Sequence, residues 1–162
     1  ALYDAAYAAL LLRDPSPGRQ LVLIFGDDVD TASWLPGARV IDLAQRYDSV
    51  VYGVTVRGQD PRPLGYRADF TSGIQSRLEN IAAAAFAESF TKGLAVESGG
   101  AVLSAENSGQ LRDTFVKIVT EFRSRYVLTY TPHGVETGGW HPLEVKLKKR
   151  PGRVTARRGY LR

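Results

Sequence analysis

The chain contains no cysteine and no methionine, and only two histidines and two tryptophans, in 162 residues. Without cysteine there is no disulfide, no thiolate metal site, no thiol nucleophile and no thiol redox chemistry. Missing cysteine does not by itself name a compartment. The lack of an initiator methionine predicts that these residues are a segment of a longer product. No apolar run approaches the roughly 20 residues needed to cross a bilayer, so no transmembrane segment is expected, and a signal peptide or anchor would have to lie elsewhere. There is no Gly-x-Ser-x-Gly and no glycine-rich phosphate loop, which leaves hydrolase and nucleotide-binding readings without an anchor. His133 and His141 are eight apart with no cysteine beside them, which is no zinc spacing, and read as surface or turn histidines. Asp69, Glu79 and Glu88 have no assignable partners for acid–base work. The chain therefore reads as a non-enzyme.

What is present is organised around Leu21-Val-Leu-Ile-Phe25. Five consecutive apolar residues, rich in β-branched and aromatic types, are too short for a helix and suit a strand buried on both faces. The run ends in Gly26 and then Asp27, Asp28, Asp30 and Thr31. In an open parallel sheet, ligands bind beyond the carboxyl ends of the strands. Oxygen donors there suit a hard cation such as Mg2+ or Ca2+. The competing reading is a solvated acidic loop in which Asp30 or Thr31 caps the next helix.

The rest of the chain supplies partners for that strand. Residues 1–12 carry a helical apolar face of Leu2, Ala6, Ala9 and Leu10, with Tyr3 and Tyr7 beside it, and must stop before Asp14-Pro-Ser-Pro-Gly18. Ser33 is placed to cap a second helix running to about Tyr47, with Leu35, Ala38, Ile41 and Ala44 inward. Ser49–Val56 is a second apolar, β-branched strand. Arg57–Gly73 has no period and reads as a long functional or mobile loop. Ser76–Ala87 has helical propensity. Phe90–Ser98 is a helix stopped by Gly99-Gly100, Ala101–Ser104 a short strand, and Ser108–Phe122 the clearest helix, with Leu111, Phe115, Ile118, Val119 and Phe122 on one face. From Ser124 the pattern changes to period two through Tyr130, again over His141–Lys148 and Val154–Arg158, with a turn at Pro151-Gly152. The expected fold is one 162-residue α/β domain: a Rossmann-like parallel sheet flanked by helices over residues 1–123, then an antiparallel β-meander over 124–162.

The order of these pieces has a counterpart. Ala1-Leu-Tyr-Asp4, Leu21–Asp27, Val50-Val-Tyr-Gly-Val54, Glu97-Ser-Gly-Gly-Ala-Val102 and Leu111-Arg-Asp113 resemble the second half of a von Willebrand factor A domain. Arg125–Pro132, Gly139–Lys146 and Arg157–Tyr160 are similar to the carboxyl end of bacterial, acidobacterial-type proteins of that family. The resemblance implies a metal-ion-dependent adhesion site of which Asp27 is the last ligand. The Asp-x-Ser-x-Ser segment has no counterpart here, the threonine would fall at or before Ala1, and Asp28 stands where glycine is common. One carboxylate cannot supply the six or so oxygens a hard cation takes, so Mg2+ or Ca2+ is expected only in an intact full-length domain. The resemblance further implies protein binding or adhesion at the cell envelope, in a secreted, periplasmic or cell-surface setting. Asp28, Asp30, Thr31 and Ser33 would be ligand-facing, with the loops 57–71 and 104–109 beside them. Trp34, Tyr66 and Phe70 are candidate contact aromatics, Trp34 reading better as core. The leading strands of that fold are missing, so the Leu21–Phe25 edge calls for cover, from another chain as in a homo-oligomer, from a rearranged segment 57–87, or from the rest of a full-length protein.

Charge offers the rival reading. Net charge is +4 overall, yet residues 146–162 hold eight Lys and Arg and no acid, so residues 1–145 are net acidic. Lys146, Lys148, Lys149, Arg153, Arg157 and Arg158 make a face for anionic lipid, acidic glycan or nucleic acid. Few aromatics interleave it, and basic side chains on an edge hairpin also guard against strand-to-strand association. Nucleic acid is therefore not the expected partner.

Overall fold

Two apolar strands lie side by side and parallel in the sheet on which the protein is built. A computed structural model of the chain describes residues 1–12, 18–26, 30–56, 90–149 and 151–161. The expected 76–87 helix and 57–73 loop lie outside these residues. Strand β1 (Gln20–Gly26) pairs with β2 (Ser49–Val56), Leu21 opposite Val50 and Phe25 opposite Val54. β2 pairs with β3 (Val102–Ala105), Gly53 opposite Val102. The order is β1-β2-β3, all parallel.

Parallel strands need crossover helices. Helix α1 (Leu2–Leu11), α2 (Gly37–Arg46) and the helical residues 90–98, here α3, share one face of the sheet. Alternation sends Val22, Ile24 and Val51 to that side, where they meet Leu10, Val40 and Leu94. Val50, Tyr52 and Val54 point the other way, onto Ile118 of α4 (Ser108–Arg123). The result is a three-layer α/β unit with three helices on one face and, among the described residues, one on the other. No helix among the described residues is long and apolar enough to cross a membrane.

Two helices sit differently from expectation. α2 starts at Gly37 behind Pro36, with no side-chain cap. Its buried stripe is consequently Gly37, Val40 and Ala44, while Ala38 is exposed. Gly37 is small because Phe90 lies against it. On α4 only Ile118 is fully buried, and Phe115 is 45% exposed. The helix packs on β3 and β2, which leaves Phe115 beyond the covered part of the sheet. On the same face of β1, Leu21 and Leu23 are half-buried and Phe25 is exposed.

The tail corrects the meander. Among the described residues antiparallel pairing is confined to β4 (Trp140–Pro142) and β5 (Gly159–Leu161), extended by the Leu143 N–H donating to the Arg158 carbonyl at 2.7 Å. Residues 125–133 and 143–147 are not strands. Tyr126 and Leu128, expected on a sheet, are 90% and 75% exposed. Alternation describes a strand only where a neighbour completes the ladder, and two short strands carry little stability of their own.

Candidate functional site

The loop that follows β1 is tied to the start of α1 by a reciprocal set of hydrogen bonds. The first N–H groups of a helix have no partner within it. Here Asp30 Oδ1 accepts from the Leu2 N–H at 2.5 Å, and the Ser33 hydroxyl accepts from the Tyr3 and Asp4 N–H groups at 3.0 and 3.3 Å. Ser33 in turn donates its hydroxyl proton to Asp30 Oδ1 at 2.7 Å and its N–H to Oδ2 at 3.3 Å. Asp4, in the first turn of α1, answers by accepting the Trp34 and Leu35 N–H groups, both at 3.0 Å. Asp4 and Asp30 also complement the positive end of the helix dipole.

Ser33 thus caps α1, thirty residues upstream, and not the second helix. Both Asp30 oxygens are engaged within the protein. Burial would raise the Asp30 carboxyl, but the bonds from the Ser33 hydroxyl and the Leu2 N–H outweigh it and hold the group below the usual carboxylate range. Asp30→Ala and Ser33→Ala are each expected to cost about 1–2 kcal/mol. Because the folded pKa lies below the unfolded value of 3.8, the Asp30 contribution is complete above that pH and fades as pH falls through the folded value. Urea unfolding across that range should show a shallower acid limb for Asp30→Asn.

The consequence of this clamp is Trp34. Its backbone is held by Asp4, and its side chain is 96% exposed. The core reading of Trp34 is overturned: α2 begins three residues later and turns Val40 inward, leaving the tryptophan in solvent. Thr31 is exposed beside it. Asp27, Asp28, Tyr66 and Phe70 lie outside the described residues.

The basic tail divides. Arg157 turns inward, its side chain 21% exposed, and donates Nη2 to the Gln45 carbonyl at 2.7 Å, at the carboxyl end of α2. That carbonyl end is the negative pole of the helix. Its Nη1 is 3.9 Å from Asp48, which Arg19 also holds through Nε and Nη2 at 3.0 and 2.7 Å. Burial lowers the Arg157 pKa, with Asp48 opposing. Arg158 reaches Glu97 at 3.6 Å. These two residues fasten the tail to the α/β body. Lys146 pairs with Glu144 at 2.9 Å in open solvent, and Lys148, Lys149 and Arg153 are exposed. Of the six candidates for a polyanion face, five remain on the surface, Arg158 among them with its side chain 66% exposed, and only Arg157 turns inward.

The two histidines, eight apart in sequence, line one shallow cleft of about 410 Å3 with Tyr130 and Tyr160. His141 stacks on Tyr160 at 5.1 Å, and Tyr130 meets Tyr160 edge-on at 6.1 Å. Among the described residues no group of three His, Asp or Glu is placed to hold a metal ion.

Sequence reading missed two features for the same reason. The α1 clamp and the bonds that tie Tyr52 to Glu121 and Arg125 both join residues about thirty or more positions apart. No local spacing marks such pairs. Compared with known proteins, the chain matches no family model, no curated protein and no solved structure.

Proposed function

We propose that this chain is a non-catalytic protein-binding domain, von Willebrand A-like in architecture, serving a cell-envelope protein. One observation carries the reading: a fully exposed tryptophan on a backbone that is already fixed. A free tryptophan ring offers one of the largest apolar contacts a side chain can make, and binding energy concentrates in such anchors. A clamped loop presents it with little ordering left to do on association. It also follows the carboxyl end of a parallel strand, where α/β sheets place their ligand surfaces. The parallel β1–β2 pairing supports the von Willebrand A-like reading, since that family sets these two strands side by side.

The test is photo-crosslinking from position 34 of the protein in its native setting. A single adduct is expected from position 34 and none from position 116, an exposed site on α4. Excess unlabelled chain should compete it away, and Trp34→Ala should weaken that competition by about 2 kcal/mol. Equal labelling from both positions would sink the proposal.

A second reading, a scaffold that associates through strand edges, is favoured by the apolar strip of Leu21, Leu23 and Phe25 on β1, with Phe115 exposed on α4. Concentration-dependent dimers in light scattering, lost in Phe25→Lys, would select it.

A further inference from the structure

β3 is the outer strand of its sheet: among the described residues it pairs with β2 alone. The register, Gly53 opposite Val102 and Thr55 opposite Ser104, decides which of its backbone groups are used. The Gly53 N–H donates to the Ala101 carbonyl at 3.0 Å. In a parallel ladder a strand's bonds to one neighbour come from alternate residues. Leu103 therefore faces β2 with both its N–H and its C=O, while Val102 and Ser104 turn theirs away from the sheet.

Along that edge, unpaired among the described residues, runs a groove of about 470 Å3, walled on the other side by Gln110, Asp113, Thr114 and Lys117 of α4. Those four positions fall at i, i+3, i+4 and i+7, one flank of a helix, and all four are polar. Among the described residues Asp113 and Lys117, one turn apart, enter no ion pair. The groove thus offers outward backbone donors and acceptors on one wall and an acid and a base on the other.

We propose that this groove binds an extended segment of a partner protein, which joins the sheet as a fourth strand beside β3. The segment sets a basic residue against Asp113 and an acidic residue against Lys117. A helix or a small apolar ligand would leave the Val102 and Ser104 backbone groups unanswered, which is costly once water is excluded. A polyanion would meet Asp113. Strand addition answers both walls at once, with main-chain bonds giving affinity and alternate side chains giving selectivity. This surface is on the edge of the sheet away from β1 and does not depend on Trp34.

The probe is a displayed library of random peptides about 12 residues long, selected against the full chain. Enriched peptides should carry β-branched residues at alternate positions together with one acid and one base. Binding should slow amide exchange at Val102 and Ser104 about tenfold or more. Ser104→Pro removes one outward N–H and spares the β2 ladder, since edge strands accept proline where the N–H faces out. It is expected to weaken binding about tenfold with the thermal midpoint unchanged. Lys117→Glu leaves the backbone untouched and should change the selected acid to a base, which keeps the test decisive if the proline variant does not fold. The proposal is overturned if no peptide is enriched, if protection appears elsewhere, or if the selected charge does not follow Lys117→Glu. It is also overturned if the Val102 and Ser104 amides are protected in the peptide-free chain at high concentration, an outcome that gives the edge to a second copy.

Discussion

Gly100→Ala is expected to abolish the native fold, or to cost more than about 4 kcal/mol where some fold survives. Gly99 and Gly100 end α3. Gly99 takes φ +77°, and the Gly100 N–H donates to the Ala95 carbonyl at 2.7 Å, closing the last turn. The chain then passes against β2 so closely that a Cβ on Gly100 would overlap the Val51 carbonyl. Neither side can yield. β2 is held by β1 on one edge and β3 on the other, and the Val51 N–H is fixed to the buried Ser98 hydroxyl at 2.9 Å. A backbone obstacle in a close-packed interior does not move aside as a side chain would. Gly134→Ala is the control. It has φ +70° with nothing within 4 Å of the new Cβ, so it should cost only the left-handed backbone penalty of about 1 kcal/mol. Urea unfolding followed by circular dichroism separates the two. A Gly100 variant as stable as the Gly134 variant would refute the close approach of α3 to β2.

What could be read beforehand follows from how local each signal is. Leu21–Phe25 and Ser49–Val56 declare themselves because a strand covered on both faces is apolar at every position. The end of α3 is legible because Gly99 has a conformation that few other residues adopt. The Ser108–Phe122 helix is legible by period, although period alone could not say that Ile118 would be buried and Phe115 left exposed. The tail misled for the complementary reason. Tyr126, Leu128 and Tyr130 alternate as a strand would, but alternation records a face and not the neighbour that must bury it. At the candidate site the acidic run after β1 was visible, and its employment was not. Asp30 and Ser33 serve a helix at the opposite end of the αβ crossover, and that pairing exists only once α1 and α2 pack together. Trp34 shows the limit most plainly. Composition favours a buried tryptophan, and only the clamp between Asp4 and the loop places it outside.

Arg125→Ala is expected to cost about 3 kcal/mol, the second-largest effect on stability. Arg125 lies just beyond α4, its side chain 15% exposed. Nη1 donates to the Gly99 carbonyl at 2.6 Å, and Nη2 donates to the Tyr52 hydroxyl at 2.7 Å and lies 3.4 Å from Glu121. Tyr52, fully buried on β2, donates in turn to Glu121 at 2.7 Å. One guanidinium thus joins the end of α3, the central strand and the last turn of α4. Two facts limit its worth. Nε is enclosed without a partner, and Glu121 is 43% exposed, so the carboxylate left behind stays hydrated. Arg125→Lys should recover less than half, because an ammonium cannot fork to two acceptors in one plane. Burial first, and then donation to Glu121, push the Tyr52 hydroxyl up to about 12, with Arg125 pulling the other way. An unfolded tyrosine titrates near 10, so the native state holds this proton more tightly. That contribution is complete below about pH 10 and is lost as pH climbs towards 12. Tyr52→Phe should cost about 1 kcal/mol near neutrality and flatten the alkaline loss. In Arg125→Ala the opposing cation is gone, so Tyr52 should titrate later still while the protein is weaker throughout. A variant that loses stability without moving the tyrosinate absorbance would show that Arg125 acts on α3 and α4 alone. One that loses less than about 1 kcal/mol would show that the fork is not formed.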